Sequence, residues 1–228
     1  KYIMIPDSAK TIGDNAFYDC DGLTSIELRE NIKSIGSHAF SKIESLETVK
    51  YNGTNNLCLT NVKAFENITA STIQIPIEYS NEYFCELIPV SYGSCGEQCK
   101  FIYNHNTKEL KIEGNGLMND FNDENPTPWN NKTEEIKTIL IGSVTSIGSN
   151  FCNKCISLTS VTFTNDSIIK IHDNAFKSSG LKEISFSNSV KTIRSNVFEG
   201  CTNMKSISLN KIETIGTNAF ASSGLTSI

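Results

Sequence analysis

No run of about 18 apolar residues occurs, so no segment reads as a membrane-spanning helix. No block of like charge exceeds a pair such as Glu134–Glu135, so there is no charged tail. Clustered Lys and Arg are also missing, and the net charge is -5 with a pI near 5.3. Phosphate backbones need clustered cations, so a nucleic-acid partner is not expected. Only 3 His occur. His38, His105 and His172 are scattered, with no Ser-His-Asp order, phosphate loop or carboxylate pair, so nothing points to catalysis. His38 and His172 fall where Asn or Gly stands in other copies of a repeat, and read as surface fillers. No leader peptide is recognisable at the start.

What the chain has in plenty is Asn, Ser and Thr, which bond nearby backbone and favour turns. That abundance also explains four Asn-x-Ser/Thr triplets (at Asn52, Asn67, Asn131 and Asn165), since about five are expected by chance. They carry no signal of glycosylation. The 8 cysteines are many for a cytosolic protein and few for a disulfide scaffold.

A hexamer recurs: IGDNAF from Ile12, IGSHAF from Ile35, IGSNFC from Ile147, IHDNAF from Ile171, IRSNVF from Ile193 and IGTNAF from Ile215. Adjacent copies lie 22 to 24 residues apart, inside the leucine-rich-repeat range of roughly 20–29. Each unit begins with L-x-x-I-x-L: Leu23/Ile26/Leu28, Leu46/Val49/Tyr51, Leu158/Val161/Phe163, Leu181/Ile184/Phe186 and Met204/Ile207/Leu209. The apolar pair closing each is a strand signal. A polar turn with V-x-x-I follows, then N-A-F, read as one helical or 3-10 turn. Such a unit buries its apolar face only against its neighbours. The expected fold is therefore a β-rich α/β solenoid. A parallel sheet forms one face, short helical or 3-10 turns lie opposite, and Phe17, Phe40, Phe176, Phe198 and Phe220 fill the interior.

This frame decides how Cys152-x-x-Cys155 is read. The spacing suits zinc or thiol–disulfide exchange. In the repeat, however, Cys152 takes the Phe17 slot. Cys155 takes the Cys20 slot, shared with Cys201, Ser179 and Ser223. Free Cys behaves as a small buried hydrophobe. No second C-x-x-C or His pair completes a ligand set, so the core reading is preferred and no metal or cofactor is expected.

The pattern resembles the BspA-like leucine-rich repeats, with consensus L-x-x-I-x-L-x-x-x-V-x-x-I-G-x-x-A-F-x-x-C-x-x-L. Residues 23–46 carry most of it, with Ile43 at the Cys position, and the match covers about 1–51 and 136–228. The resemblance implies a non-catalytic cell-surface or secreted protein that binds proteins or host surface and matrix components, often in adhesion. No family motif fixes the binding residues.

The period fails between about 52 and 135. Residues 59–75 read as a degenerate repeat with Phe65 in the core and Ile73/Ile75 as strand. Residues 100–103 and 108–113 read as a hairpin around an Asn-rich turn. The following C-G…LKI-x-G-x-G-x-M-x-D-F…P-W block resembles a cap at the open end of an array, with Trp129 anchoring its core. The expected organisation is residues 1–90 ending one array (59–90 degenerate), 91–135 a cap-like β-hairpin module, and 136–228 a second array. Both ends fall inside repeats, so a fragment of a longer protein is expected. Cys95 and Cys99 suit a small disulfide, and Cys85 offers another pairing. Asp120, Asn122 and Glu124 superficially suit a calcium loop, but Pro126 replaces the required Gly, so a solvated turn is expected.

On the sheet strands, residues between the inward Ile and Leu point outward. These are Ser25, Glu27, Thr48, Lys50, Ser160, Thr162, Glu183, Ser185, Ser206 and Ser208. They form the expected partner-binding face, small, polar and short of aromatics, suited to weak multivalent contact. Homo-association through exposed repeat ends is a further expectation. The competing readings are a spacer or stalk projecting another domain, including an enzyme outside this sequence, and an intracellular scaffold, for which eight free thiols would speak.

Overall fold

The apolar alternation in L-x-x-I-x-L becomes short parallel strands. A computed structural model describes residues 1–58, 63–81, 83–85, 87–186, 188–209 and 211–226. The first four residues of the degenerate repeat (59–62) and the last two of the chain (227–228) lie outside the described residues. The chain divides into two compact units, one of residues 1–91 with 104–106 and one of 92–103 with 107–228.

In the first unit, strands β1 (Tyr2–Met4), β3 (Ser25–Leu28), β5 (Thr48–Tyr51), β6 (Thr72–Gln74) and the start of β7 (Ile88–Gly96) pair in that order, all parallel. The register puts Ile3, Ile26, Val49, Ile73 and Pro89 in one row. Ile26, Leu28, Val49 and Tyr51 are buried, as their alternation requires. A second, two-stranded face joins β2 (Thr11–Ile12) to β4 (Ser34–Ile35).

In the second unit, β8 (Cys99–Asn104) and β9 (Glu109–Gly114) are neighbours joined by a short turn, as the hairpin signal required. β9 then lies parallel to β10 (Thr138–Ile141), and β10 to β12 (Ser160–Phe163). Leu110, Ile139 and Val161 share one row, and Ile112, Ile141 and Phe163 the next. Opposite, β11 (Ser146–Ile147), β13 (Lys170–Ile171), β14 (Thr192–Ile193) and β15 (Thr214–Ile215) stack parallel through their V-x-x-I isoleucines.

Two expectations need correction. N-A-F is not a helix or 3-10 turn. The only helical segment among the described residues is a 3-10 turn at Asn130–Lys132. Each N-A-F turn instead contains two left-handed residues four apart: Asn15 and Asp19, His38 and Lys42, Asn150 and Lys154, Asn174 and Ser178, Asn196 and Gly200, Asn218 and Ser222. Positive φ breaks any helix, and Asn tolerates it better than most residues. The alternation turns every second N–H toward the next repeat. Asn174, Phe176 and Ser178 donate to the carbonyls of Ser195, Val197 and Glu199, and Asn15, Phe17 and Asp19 do the same to Ser37, Ala39 and Ser41. The turns are thus a ladder of their own. Behind it the Phe rings stack: Phe17 on Phe40 on Phe65 at 5.0 and 5.1 Å, and Phe176 on Phe198 on Phe220 at 5.7 and 5.4 Å. Phe40, Phe176 and Phe198 are fully buried, each contributing about 2–3 kcal/mol by burial. Phe17 and Phe220, with a ring neighbour on one side, are only half-buried.

Second, residues 181–186 and 204–209 are not strands among the described residues. Ile184 and Ile207 still point inward and are buried. Their outward neighbours are Glu183 and three serines, with no β-branched side chain and no charge partner across the sheet, so little favours the extended ladder there.

Candidate functional site

The outward face is built around Glu27 in the first unit. The register aligns Met4, Glu27, Lys50 and Gln74 in one outward row, and Tyr2, Ser25, Thr48 and Thr72 in the next. The Glu27 carboxylate accepts hydrogen bonds from Asn52 Nδ2 and Tyr2 Oη, both at 2.8 Å. It also pairs with Arg29 at 3.3 Å and Lys50 at 3.5 Å. The Asn52 bond, then the Tyr2 bond, hold its carboxyl below the usual range. Arg29 further reaches Asp7 at 3.5 Å and the Met4 sulfur. The polar groups are satisfied internally, while Tyr2 (58 %) and Met4 (45 %) stand exposed beside them.

Of the ten expected face residues, Ser25, Glu27, Thr48 and Lys50 are brought together here. Ser160 and Thr162 face outward in the second unit, beside Thr138 and Leu140. Glu183, Ser185, Ser206 and Ser208 are exposed; Ser206 makes a single β-bridge and the other three lie off any strand. Sequence reasoning missed Tyr2, Met4, Arg29 and Asn52. The signal was present, since Tyr2 and Met4 flank Ile3 as Ser25 and Glu27 flank Ile26. Exposed Tyr2 adds one aromatic beside the expected residues.

Trp129 is fully buried with Phe101, Phe121 and Phe151 edge-on at 5.2, 5.8 and 5.5 Å. Its indole N–H donates to Phe151 O at 3.1 Å. In later repeats the equivalent carbonyl accepts from a Phe N–H of the preceding turn, as Phe176 N donates to Val197 O. Trp129 therefore completes the first rung of the ladder. Phe121 N does the same for Ser149 O at 3.0 Å. Asp120 accepts from Ser149 N at 2.6 Å and pairs with His172 at 2.9 Å. Burial pushes the Asp120 carboxyl up, but the Ser149 and His172 contacts together bring it below the usual range. So His172 is no filler, and neither is His38, which pairs with Glu66 at 3.3 Å. Asn122 Oδ1 accepts from the Glu124 and Asn125 N–H groups, closing the turn read from the sequence.

Six cysteines are paired: Cys58–Cys85, Cys95–Cys99 and Cys152–Cys155. Cys152 and Cys155 are core residues, fully buried, but they are joined to each other rather than free. Cys20 is an exposed thiol; Cys201 is buried, which raises its pKa. Among the described residues no three His, Cys, Asp or Glu side chains converge on a metal position.

The fold also makes a contact the sequence did not announce, Ser91 Oγ to His105 Nε2 at 2.8 Å. Ser91 Oγ donates to Ile75 O at 2.8 Å, so the histidine donates to the serine. A general base must do the reverse, and both residues are buried. The pair is structural, with Tyr79 edge-on to His105 at 6.0 Å.

No curated protein matches the chain. It is similar to a leucine-rich repeat protein of Eubacterium ventriosum, at 16 % identity over 99 % of this chain and 83 % of that one, with a TM-score of 0.39. A leucine-rich repeat protein of Bacteroides ovatus is 22 % identical over 96 % and 70 %, with a TM-score of 0.43. A leucine-rich cell surface protein of Faecalibacterium prausnitzii is 18 % identical over 91 % and 78 %, with a TM-score of 0.28. The family model for the BspA type leucine rich repeat region matches six times, over residues 1–113 and 130–228. The chain belongs to the BspA-type leucine-rich-repeat family.

Proposed function

We propose that this chain is a non-catalytic part of a cell-surface or secreted protein that binds proteins or host surface and matrix components through the outward sheet face, in adhesion. The observation that carries this reading is the cluster around Glu27. Tyr, Met and Arg are the side chains interfaces favour, and Tyr2, Met4 and Arg29 are held beside a carboxylate with its bonds already made. Fixed rotamers lower the ordering cost of binding. The remaining face residues, Ser160, Thr162, Glu183, Ser185, Ser206 and Ser208, add weak contacts whose value comes from number. Three disulfides support an oxidising compartment over the cytosol. Within this reading, residues 91–135 cap the array of 136–228, and Trp129 is the group that does it.

The test is binding of the chain to host-cell surfaces and immobilised matrix proteins, beside a variant with Glu27, Lys50, Thr162, Glu183 and Ser208 changed together to Ala. Binding by the wild type and its loss in a folded variant is the expected result. Equal binding by both refutes the face. Binding by neither points to a spacer.

A further inference from the structure

We propose that copies of this chain associate side to side, the acidic turn edge of one first unit against the lysine edge of another copy's second unit. The repeat supplies the argument, because the first array leaves carboxylates unpaired along its turn edge and the second leaves lysines. Lys154 stands in the slot that Asp19 and Lys42 hold in the first array. Lys137, Lys182 and Lys205 occupy the slot that Lys1 and Glu47 hold there, just before the strand position. All of the net charge of -5 belongs to the first unit, with 7 basic and 12 acidic residues. Residues 136–228 hold 9 basic and 5 acidic residues.

Asp19, Asp21, Glu44 and Glu47 are exposed, and none is in an ion pair among the described residues. Asp19, Asp21 and Glu44 line a cleft of about 680 Å³ with Asn67 and Thr69. Lys42 also lines it, but its ammonium lies over the Tyr18 ring at 5.3 Å. On the other edge, Asp173, Glu199 and Glu213 are already paired with Arg194, Lys177 and Lys191. Among the described residues Lys137, Lys154 and Lys182 are exposed and in no ion pair, and Lys205 Nζ meets Thr202 O alone, at 3.4 Å. Glu183 is the one exposed carboxylate beside Lys182.

Spacing matches as well as sign. Lys205 N donates to Lys182 O, so these lysines stand on adjacent rungs. Ser45 Oγ donates to Asp21 O, placing Glu44 one rung from Asp21. One rung is about 4.8 Å on either edge. Paired cations therefore meet paired carboxylates in register. Each copy carries one edge of each sign, so a second copy offers the complement of both. It uses the sides of the array rather than its open ends. Exposed pairs are weak singly, so the association is salt-sensitive.

The experiment is sedimentation equilibrium on the disulfide-intact chain. The expected mass exceeds 25.1 kDa increasingly with concentration at roughly 0.05 M salt and returns to it at roughly 0.5 M. Lys182→Glu with Lys205→Glu weakens self-association at least tenfold, and so does Asp21→Lys with Glu44→Lys. Mixing the two variants restores association, as does combining all four changes in one chain. These side chains are exposed, and unchanged circular dichroism confirms folding. A wild type that stays at 25.1 kDa in low salt overturns the proposal. So does association that salt leaves unchanged, or that the reversals do not weaken or the mixture does not restore.

Discussion

Replacing Trp129 tests whether residues 91–135 hold the second array together. Its ring fills the space among Phe101, Phe121 and Phe151, and its N–H satisfies Phe151 O. Trp129→Phe keeps most of the ring and removes the donor. A buried carbonyl then goes unpaired, at about 1–3 kcal/mol. Trp129→Ala also opens a cavity, for about 3–5 kcal/mol. At about 2–4 °C per kcal/mol, the Ala variant should melt ~10 °C lower and the Phe variant part-way. Trp129 is the only Trp, so wild-type fluorescence follows the unfolding of its own surroundings. Circular dichroism follows the variants. If Trp129→Ala lowers Tm by under about 2 °C, the ladder does not depend on this cap and the reasoning fails. If Trp129→Phe costs as much as Trp129→Ala, the hydrogen bond has been undervalued and the ring overvalued.

Four further outcomes follow from the geometry. Thiol titration of the unreduced, denatured chain should find two of the eight cysteines free, Cys20 reacting before denaturation and Cys201 only after; a higher count removes a disulfide. Breaking Cys58–Cys85, which spans 27 residues, should cost about 3.5 kcal/mol by loop entropy. A Cβ on Gly148 would lie 1.8 Å from Asn119 O, whereas one on Gly13, in the same slot, meets nothing within 4 Å. Gly148→Ala should therefore destabilise by about 1–3 kcal/mol and Gly13→Ala by under about 0.5, read by denaturant titration. Asp120 has a folded pKa below its ordinary 3.8, so its contribution is present above that value and is lost as pH falls through the folded one. It is exposed, so the contribution is below about 1 kcal/mol. The Tm gap between wild type and Asp120→Asn should close on acidification, and a gap that widens contradicts the pairing.

The repeat was legible because burial writes itself into apolar spacing. Ile26, Val49, Ile139 and Val161 fall inward in the structure at the period seen in the sequence. The N-A-F turn was legible only in part. Its Phe announced the core, but Asn also announced a left-handed residue, and local propensity for a helical turn concealed that. Residues 181–186 and 204–209 matched the strand pattern inwardly. Their outward residues, Glu183 and three serines, do not enter an apolar pattern. Disulfide pairing stayed open because Cys58 and Cys85 meet only through the fold. The Glu27 cluster was half visible. Arg29 is two residues from Glu27 in the chain, but Tyr2 and Asn52 come from other segments, and register alone brings those two to the carboxylate.

The most direct measurement of the central claim is a block comparison of binding to host-cell surfaces. One variant changes Tyr2, Glu27, Arg29 and Lys50 to Ala on the outward face, and a second changes Asp21, Glu44, Lys182 and Lys205 to Ala on the turn edges. The account predicts that the first loses binding at least tenfold and the second loses only its self-association. Retained binding in the first variant, with loss in the second, would contradict it.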